Sequence, residues 1–171
     1  MKKIALFLAI LTGSLLITAC DLFEKKPCKN KDCGPADMGG CIDGECDCVR
    51  GISIGADGKC TLFDRDEFVG SYDKTRCSIT IELNGQTSTL FEPQMSITAG
   101  DGKDGIDINI PNAQVQCSGS VDKGKITIDD TVGSFQYSGN GQIVTPGTKK
   151  ITLTKKDQSN SLTYTYTILF N

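Results

Sequence analysis

The residues of this chain best equipped for chemistry are its nine cysteines. A thiol can act as a nucleophile, ligate a metal, carry a covalent group or pair in a disulfide, and its surroundings decide which. The usual helpers are missing. Histidine is absent, which removes the Ser-His-Asp triad, the Cys-His nucleophile and every His-ligated metal site. The carboxylates do not replace it. Asp129-Asp130 is an acidic pair with no visible partner and reads as a solvated turn. Gly100-Asp101-Gly102-Lys103-Asp104-Gly105 has the look of a calcium loop but lacks EF-hand oxygen spacing, so it reads as a hairpin turn. The chain is therefore not read as an enzyme, and no cofactor or metal is expected.

Nine is an odd number, and the cysteines are not evenly placed. Cys20 closes an N-terminal apolar segment. Lys2 and Lys3 precede Ile4–Leu11, and Leu15–Ile17 continues the run to about sixteen residues. A spanning helix needs roughly 20, so the segment reads as a secretory signal. Ile17-Thr18-Ala19-Cys20 resembles the lipobox of bacterial lipoproteins. The resemblance implies cleavage before Cys20, a diacylglyceryl group on its sulfur and an acylated new amine. It implies a chain anchored by lipid in the bacterial cell envelope, at the outer membrane or cell surface. Each buried methylene contributes about 0.8 kcal/mol, so two or three acyl chains hold firmly. Residues 1–19 are then the signal and residues 20–27 a polar lipidated tether. With Cys20 assigned to lipid, eight cysteines remain for pairing in an oxidising compartment.

Six of these lie close together: Cys28, Cys33, Cys41, Cys46, Cys48 and Cys60. The segment 28–62 has few large apolar side chains and cannot build a core by burial alone. A thiolate zinc cluster is an alternative, but exported cysteines are usually disulfides, and those would supply the missing core. Six cysteines leave the connectivity open. The run Cys41-Ile42-Asp43-Gly44-Glu45-Cys46-Asp47-Cys48, with Gly51 behind it and Gly39-Gly40 before it, resembles an epidermal growth factor-like (EGF-like) module. That resemblance implies the pairs Cys28–Cys41, Cys33–Cys46 and Cys48–Cys60. Ile52 stands where the family has an aromatic, and Gly58 lies two residues before Cys60 rather than three. The calcium-binding members carry an acidic consensus before the first cysteine, and Lys25-Lys26-Pro27 stands there instead.

From 64 to 171 the pattern changes to alternation. Cys77, Ile79, Ile81 and Leu83 share a face, as do Ile106, Ile108 and Ile110. Val115 and Cys117, Ile126 and Ile128, Ile151 and Leu153 repeat the pattern, and Leu162–Ile168 closes it with Thr163, Thr165 and Thr167 opposite. Period two means half-buried antiparallel strands. Turn signals separate them at Asn84-Gly85, Asp101-Gly102, Asp104-Gly105, Lys123-Gly124, Asn140-Gly141 and Pro146-Gly147. The chain is thus predicted to be all-β: a small disulfide-rich module, then an antiparallel meander of eight to ten strands. The meander forms a barrel, with a sandwich as the alternative.

Phe68-Val69-Gly70-Ser71-Tyr72 resembles the opening strand of lipocalin-like and fatty-acid-binding barrels, with Tyr72 in place of their Trp. Those barrels often carry a late arginine over that ring or on a ligand carboxylate. Here the arginines are Arg50, Arg65 and Arg76, all early, so a fatty-acid site of that kind is not implied. Cys77 and Cys117 both fall on the apolar face. A bridge between them would close about 40 residues and contribute about 4 kcal/mol in the chain-entropy model. The alternative is two buried free thiols.

The formal net charge is −3, which argues against a nucleic-acid partner. The expected function is that of a membrane-anchored, non-enzymatic binding module for a protein or glycan partner. The alternative is a carrier of a small apolar ligand inside the barrel.

Overall fold

The computed structural model describes Cys28 and residues 30–171. The signal segment, Cys20 and the tether lie outside the described residues.

The first part is two small hairpins. β1 (Gly39–Ile42) pairs with β2 (Glu45–Cys48), and β3 (Ile52–Ile54) pairs with β4 (Cys60–Phe63). Asp43 and Gly44 both take positive φ, 52° and 81°, the two-residue turn that matches the twist of a hairpin. Disulfides join Cys28 to Cys41, Cys33 to Cys46 and Cys48 to Cys60. The buried apolar side chains here are only Cys33, Ile52 and Cys60. Sulfur fills the space a core would occupy. A Cβ on Gly39 would stand 2.6 Å from the Cys60 sulfur, so the bridge packs against bare backbone there.

One turn of 3-10 helix at Asp64–Glu67 leads into the second part. Ten strands follow: β5 (Gly70–Tyr72), β6 (Cys77–Leu83), β7 (Gln86–Thr89), β8 (Met95–Ala99), β9 (Gly105–Ile110), β10 (Val115–Asp122), β11 (Lys125–Val132), β12 (Phe135–Thr145), β13 (Thr148–Asp157) and β14 (Thr163–Phe170). They form one antiparallel sheet in the order β5-β8-β9-β10-β11-β12-β13-β14-β6-β7. The sheet curls into a half-barrel whose edges are β5 and β7. The end of β5 meets β14 through side chains rather than through a ladder. Tyr72 packs edge-on against Phe170 with centroids 4.8 Å apart, and Arg76 Nε donates to the Asn171 carbonyl at 2.9 Å.

Alternation puts one residue of every pair inside. Ile79, Ile97, Ile106, Ile108, Ile151 and Ile168 are fully buried, and Tyr137 and Tyr166 lie among them. The Phe-x-Gly-x-Tyr stretch is a packing device. A Cβ on Gly70 would lie 3.1 Å from the Tyr72 ring, and the Tyr72 hydroxyl donates to the Phe68 carbonyl at 2.7 Å.

Three expectations need correction. Asn140-Gly141 is not a turn but lies within β12, paired with Thr152 and Ile151. Gly141 is there because β13 comes close: a Cβ would stand 2.8 Å from Ile151 Cγ1. A strand glycine marks close approach as readily as a turn. Asp129-Asp130 is also in a strand, β11. The β10–β11 ladder ends at Gly119 and Ile128, and the Asp130 carboxylate then accepts from the Ser118 N–H at 2.7 Å. The turn that follows is Gly133-Ser134, with Gly133 at φ 61°. Finally, Cys77 and Cys117 are unbridged, and both are buried thiols. They sit on β6 and β10, with β11, β12, β13 and β14 between them in the sheet, and the barrel interior across from them is packed with isoleucine, leucine and tyrosine.

Candidate functional site

The two parts meet at a polar joint. Arg50, just after β2, pairs with Asp104 at 3.1 Å, and its Nη2 donates to the Ser120 hydroxyl at 2.7 Å. Gly51 donates its N–H to the Asp122 carboxylate at 3.4 Å. Lys103 pairs with Asp37 at 2.8 Å. Asp64 carries the most buried of these charges. Its carboxylate accepts from the Ser53 hydroxyl on one side and from the Lys123 N–H at 2.6 Å on the other. A buried carboxylate costs heavily unless such donors meet it, so Asp64 fixes the place of three segments at once.

Gly51 makes the approach close enough. Its φ is 78°, and a Cβ there would stand 2.5 Å from the Asp104 Cβ. Next to it, the 100–105 loop turns its carbonyls inward, but a side chain fills the place a cation would take. Arg65 Nη1 donates to the carbonyls of Gly100 at 3.1 Å, Gly102 at 2.7 Å and Gly105 at 3.3 Å. The Arg65 guanidinium also lies 5.2 Å from the Phe63 ring centroid.

This joint frames the largest of the described grooves, about 690 Å³. Leu62, Phe63 and Ile143 give it apolar lining, and Ser53, Lys123 and the acids Asp66 and Glu67 line it as well. Leu62 is 54% exposed although it belongs to a strand. The groove draws on the disulfide module, the connecting turn and the tips of two hairpins. A second cleft of about 440 Å³ opens beside Arg76, lined by Tyr72, Gln94 and Met95. There the Arg76 guanidinium lies 4.9 Å from the Tyr72 ring centroid.

The buried thiols of the half-barrel are held inert. Burial pushes the Cys117 thiol up to about 12, helped by Asp130 and Asp107, and burial alone pushes Cys77 up to about 11. Thiols in that state do not attack. Burial raises Tyr166 to about 12 as well. Lys155 is buried with its ammonium donating to the Gln114 carbonyl at 2.6 Å and 4.1 Å from the Phe135 centroid, and burial lowers its pKa while Asp157 opposes that shift. No group of three or more His, Cys, Asp or Glu placed to hold a metal occurs among the described residues.

Of the residues singled out from sequence, the six clustered cysteines form the module's bridges, Cys77 and Cys117 stay apart, and Cys20 lies outside the described residues. Nothing in the sequence brings together Arg50, Gly51, Asp64 and Asp104, which build the joint: Arg50 stands out only as an early arginine and Asp104 only as part of a turn. Gly51 stands out as a glycine at a fixed place behind Cys48.

No protein-family model matches the chain, and no curated protein matches it. Among solved structures, a structural-genomics crystal structure of unknown function from Bacteroides ovatus is similar at 12% identity and a TM-score of 0.40. The similarity covers 60% of this chain and 41% of that one.

Proposed function

We propose that this chain is a lipid-anchored, extracytoplasmic binding module, held to the bacterial envelope through Cys20 and recognising a protein or glycan partner at the junction groove. On this reading the disulfide module is EGF-like and serves as a stalk, and the half-barrel is a lipocalin-like head. The observation that supports it is where space lies. The largest described groove is open, partly apolar and shared by both parts, whereas the barrel interior is occupied by Ile79, Ile97, Ile151, Leu153, Tyr137 and their neighbours. Small barrels either fill with side chains or hold a ligand, and a filled one favours recognition on the outside. Loops and junctions placed by a rigid scaffold are where binding residues usually sit.

Photo-crosslinking in intact envelopes tests this. A crosslinking residue at Leu62 is expected to give a discrete adduct that Ile143→Glu abolishes, with none from the same group at Thr165. Equal adducts at both positions, or none at Leu62, would overturn the groove. A Cys20→Ser chain is expected to leave the membrane fraction, and unchanged retention would overturn the anchor. A stoichiometric apolar molecule extracted from the purified chain would instead establish the carrier alternative.

A further inference from the structure

The half-barrel has two free edges, and they are not alike. β5 is short, and its Ser71 carbonyl accepts from Arg76 Nη1 at 3.4 Å, so a charged side chain lies over it. β7 is Gln86-Thr87-Ser88-Thr89, every residue exposed. It carries no charge, no proline and no bulge, the devices that usually blunt an edge. The turn before it determines which backbone groups are open. Asn84 and Gly85 take φ 52° and 76°, so the flanking pair Leu83 and Gln86 is hydrogen bonded. Bonded pairs then alternate along the ladder, and Leu90 N–H donates to the Ile79 carbonyl at 2.9 Å in keeping with that phase. Thr87 and Thr89 fall on the other phase. Each turns both its N–H and its C=O away from the sheet.

We propose that β7 pairs antiparallel with β7 of a second copy of this chain, about a two-fold axis at Ser88. In that register Thr87 lies opposite Thr89 of the second copy, and Thr89 opposite Thr87, so every outward N–H and C=O on these residues is satisfied. Threonine meets threonine on the same face, a favourable cross-strand pair. No like charges oppose each other along the strand. β7 ends at Thr89 and Phe91 stands in the bend just beyond it, at the end of the pairing that the Asn84-Gly85 turn of the second copy would approach. Phe91 is 86% exposed, more than any other large apolar side chain described, and a Cβ on Gly85 would have nothing within 4 Å. The open space at Gly85 leaves room for that approach, and the two-fold axis makes it twice. A strand this short makes a small, reversible interface rather than an obligate one.

The test is the mass of the purified chain by sedimentation across a concentration series, in excess detergent. The wild-type chain is expected to pass reversibly from monomer to dimer. Ser88→Lys places like charges across the axis and is expected to weaken association at least about tenfold, a free-energy change of about 1.4 kcal/mol. Mixing Ser88→Lys with Ser88→Glu is expected to restore it, and Phe91→Ala to weaken it. Ser88 and Phe91 are exposed, so unchanged melting temperatures of the variants confirm that they fold. A wild-type chain that stays monomeric at every concentration overturns the proposal, and so does a charge-swapped mixture that fails to pair. An edge meant for an extended peptide of another protein would give the first of those results.

Discussion

The disulfide module and the half-barrel lie side by side in one chain and are held together by different physics. The module buries Cys33, Ile52 and Cys60 and little else. Its stability comes from three bridges, which restrict the unfolded chain. The half-barrel leaves its two cysteines unpaired and relies on a continuous inner face of isoleucine, leucine, tyrosine and phenylalanine. The contrast teaches that cysteine means different things by context. Where apolar residues are scarce, sulfur replaces the core. Where they alternate over ten strands, cysteine is one more buried apolar side chain.

The largest effect should come from reduction. The bridges span sequence separations of 13, 13 and 12, and each contributes about 3 kcal/mol in the chain-entropy model. A module with so little burial cannot survive that loss. Under native conditions with reductant, limited proteolysis is expected to cut rapidly between Cys28 and Cys60 while the far-UV β spectrum of the half-barrel persists. If both parts melt together, the contrast is wrong and the joint dominates.

Alkali should do the reverse. Cys117, Cys77 and Tyr166 hold their protons in the folded chain to about 12, 11 and 12, above ordinary values of 9.0, 9.0 and 10.0. The unfolded chain therefore loses these protons first. The stability they contribute is fully present below pH 9 and is lost as pH rises through the folded values, at up to about 1.4 kcal/mol per pH unit for each group. Lys155 works the other way. Its lowered pKa means that the folded chain releases the proton before the unfolded one does, and stability rises in the window just below 10.5. Burial raises Tyr72 and Tyr137 as well, so the raised groups outweigh Lys155 and the net is a fall. Urea unfolding between pH 8 and 11 is expected to show it, with a shallower slope in a Cys77→Ala, Cys117→Ala double variant. An unchanged slope would mean that these thiols do not couple to folding.

Much of this was legible in the sequence. Period-two alternation located the strands because one face of each is buried, and burial is what a pattern of Ile against Thr encodes. The module was legible because cysteine spacing records loop sizes. The failures share a cause. Asn140-Gly141 carries turn chemistry but sits where β13 approaches the backbone of β12, a tertiary demand that no local window contains. Asp130 reads as a turn residue because its partner, the Ser118 N–H, is on another strand. Number and shared face suggest pairing Cys77 with Cys117, and neither records strand order. The joint was invisible for the same reason: Arg50, Asp64 and Asp104 are ordinary surface charges until the fold brings them together.

The joint itself gives the smallest and sharpest test of how separate the two regions are. Gly51 and Gly58 both belong to the first part and have nearly equal φ, 78° and 77°. A side chain at either must take up a left-handed conformation that costs about 1 kcal/mol. They differ in what a new Cβ would meet. At Gly58 nothing lies within 4 Å, whereas at Gly51 the Asp104 Cβ stands at 2.5 Å and the Asp104 backbone nitrogen at 3.1 Å. Gly58→Ala therefore measures conformation alone, and Gly51→Ala measures conformation plus the docking of the module on the 100–105 loop. Gly51→Ala is expected to cost about 2–3 kcal/mol and Gly58→Ala about 1 kcal/mol, read as melting temperatures on the same instrument. The excess should also appear as faster proteolysis near Arg50 and Asp104 in Gly51→Ala only. Equal losses would mean that the module swings free of the half-barrel. The junction groove would then lack a fixed shape, and the binding surface would have to lie on one part alone.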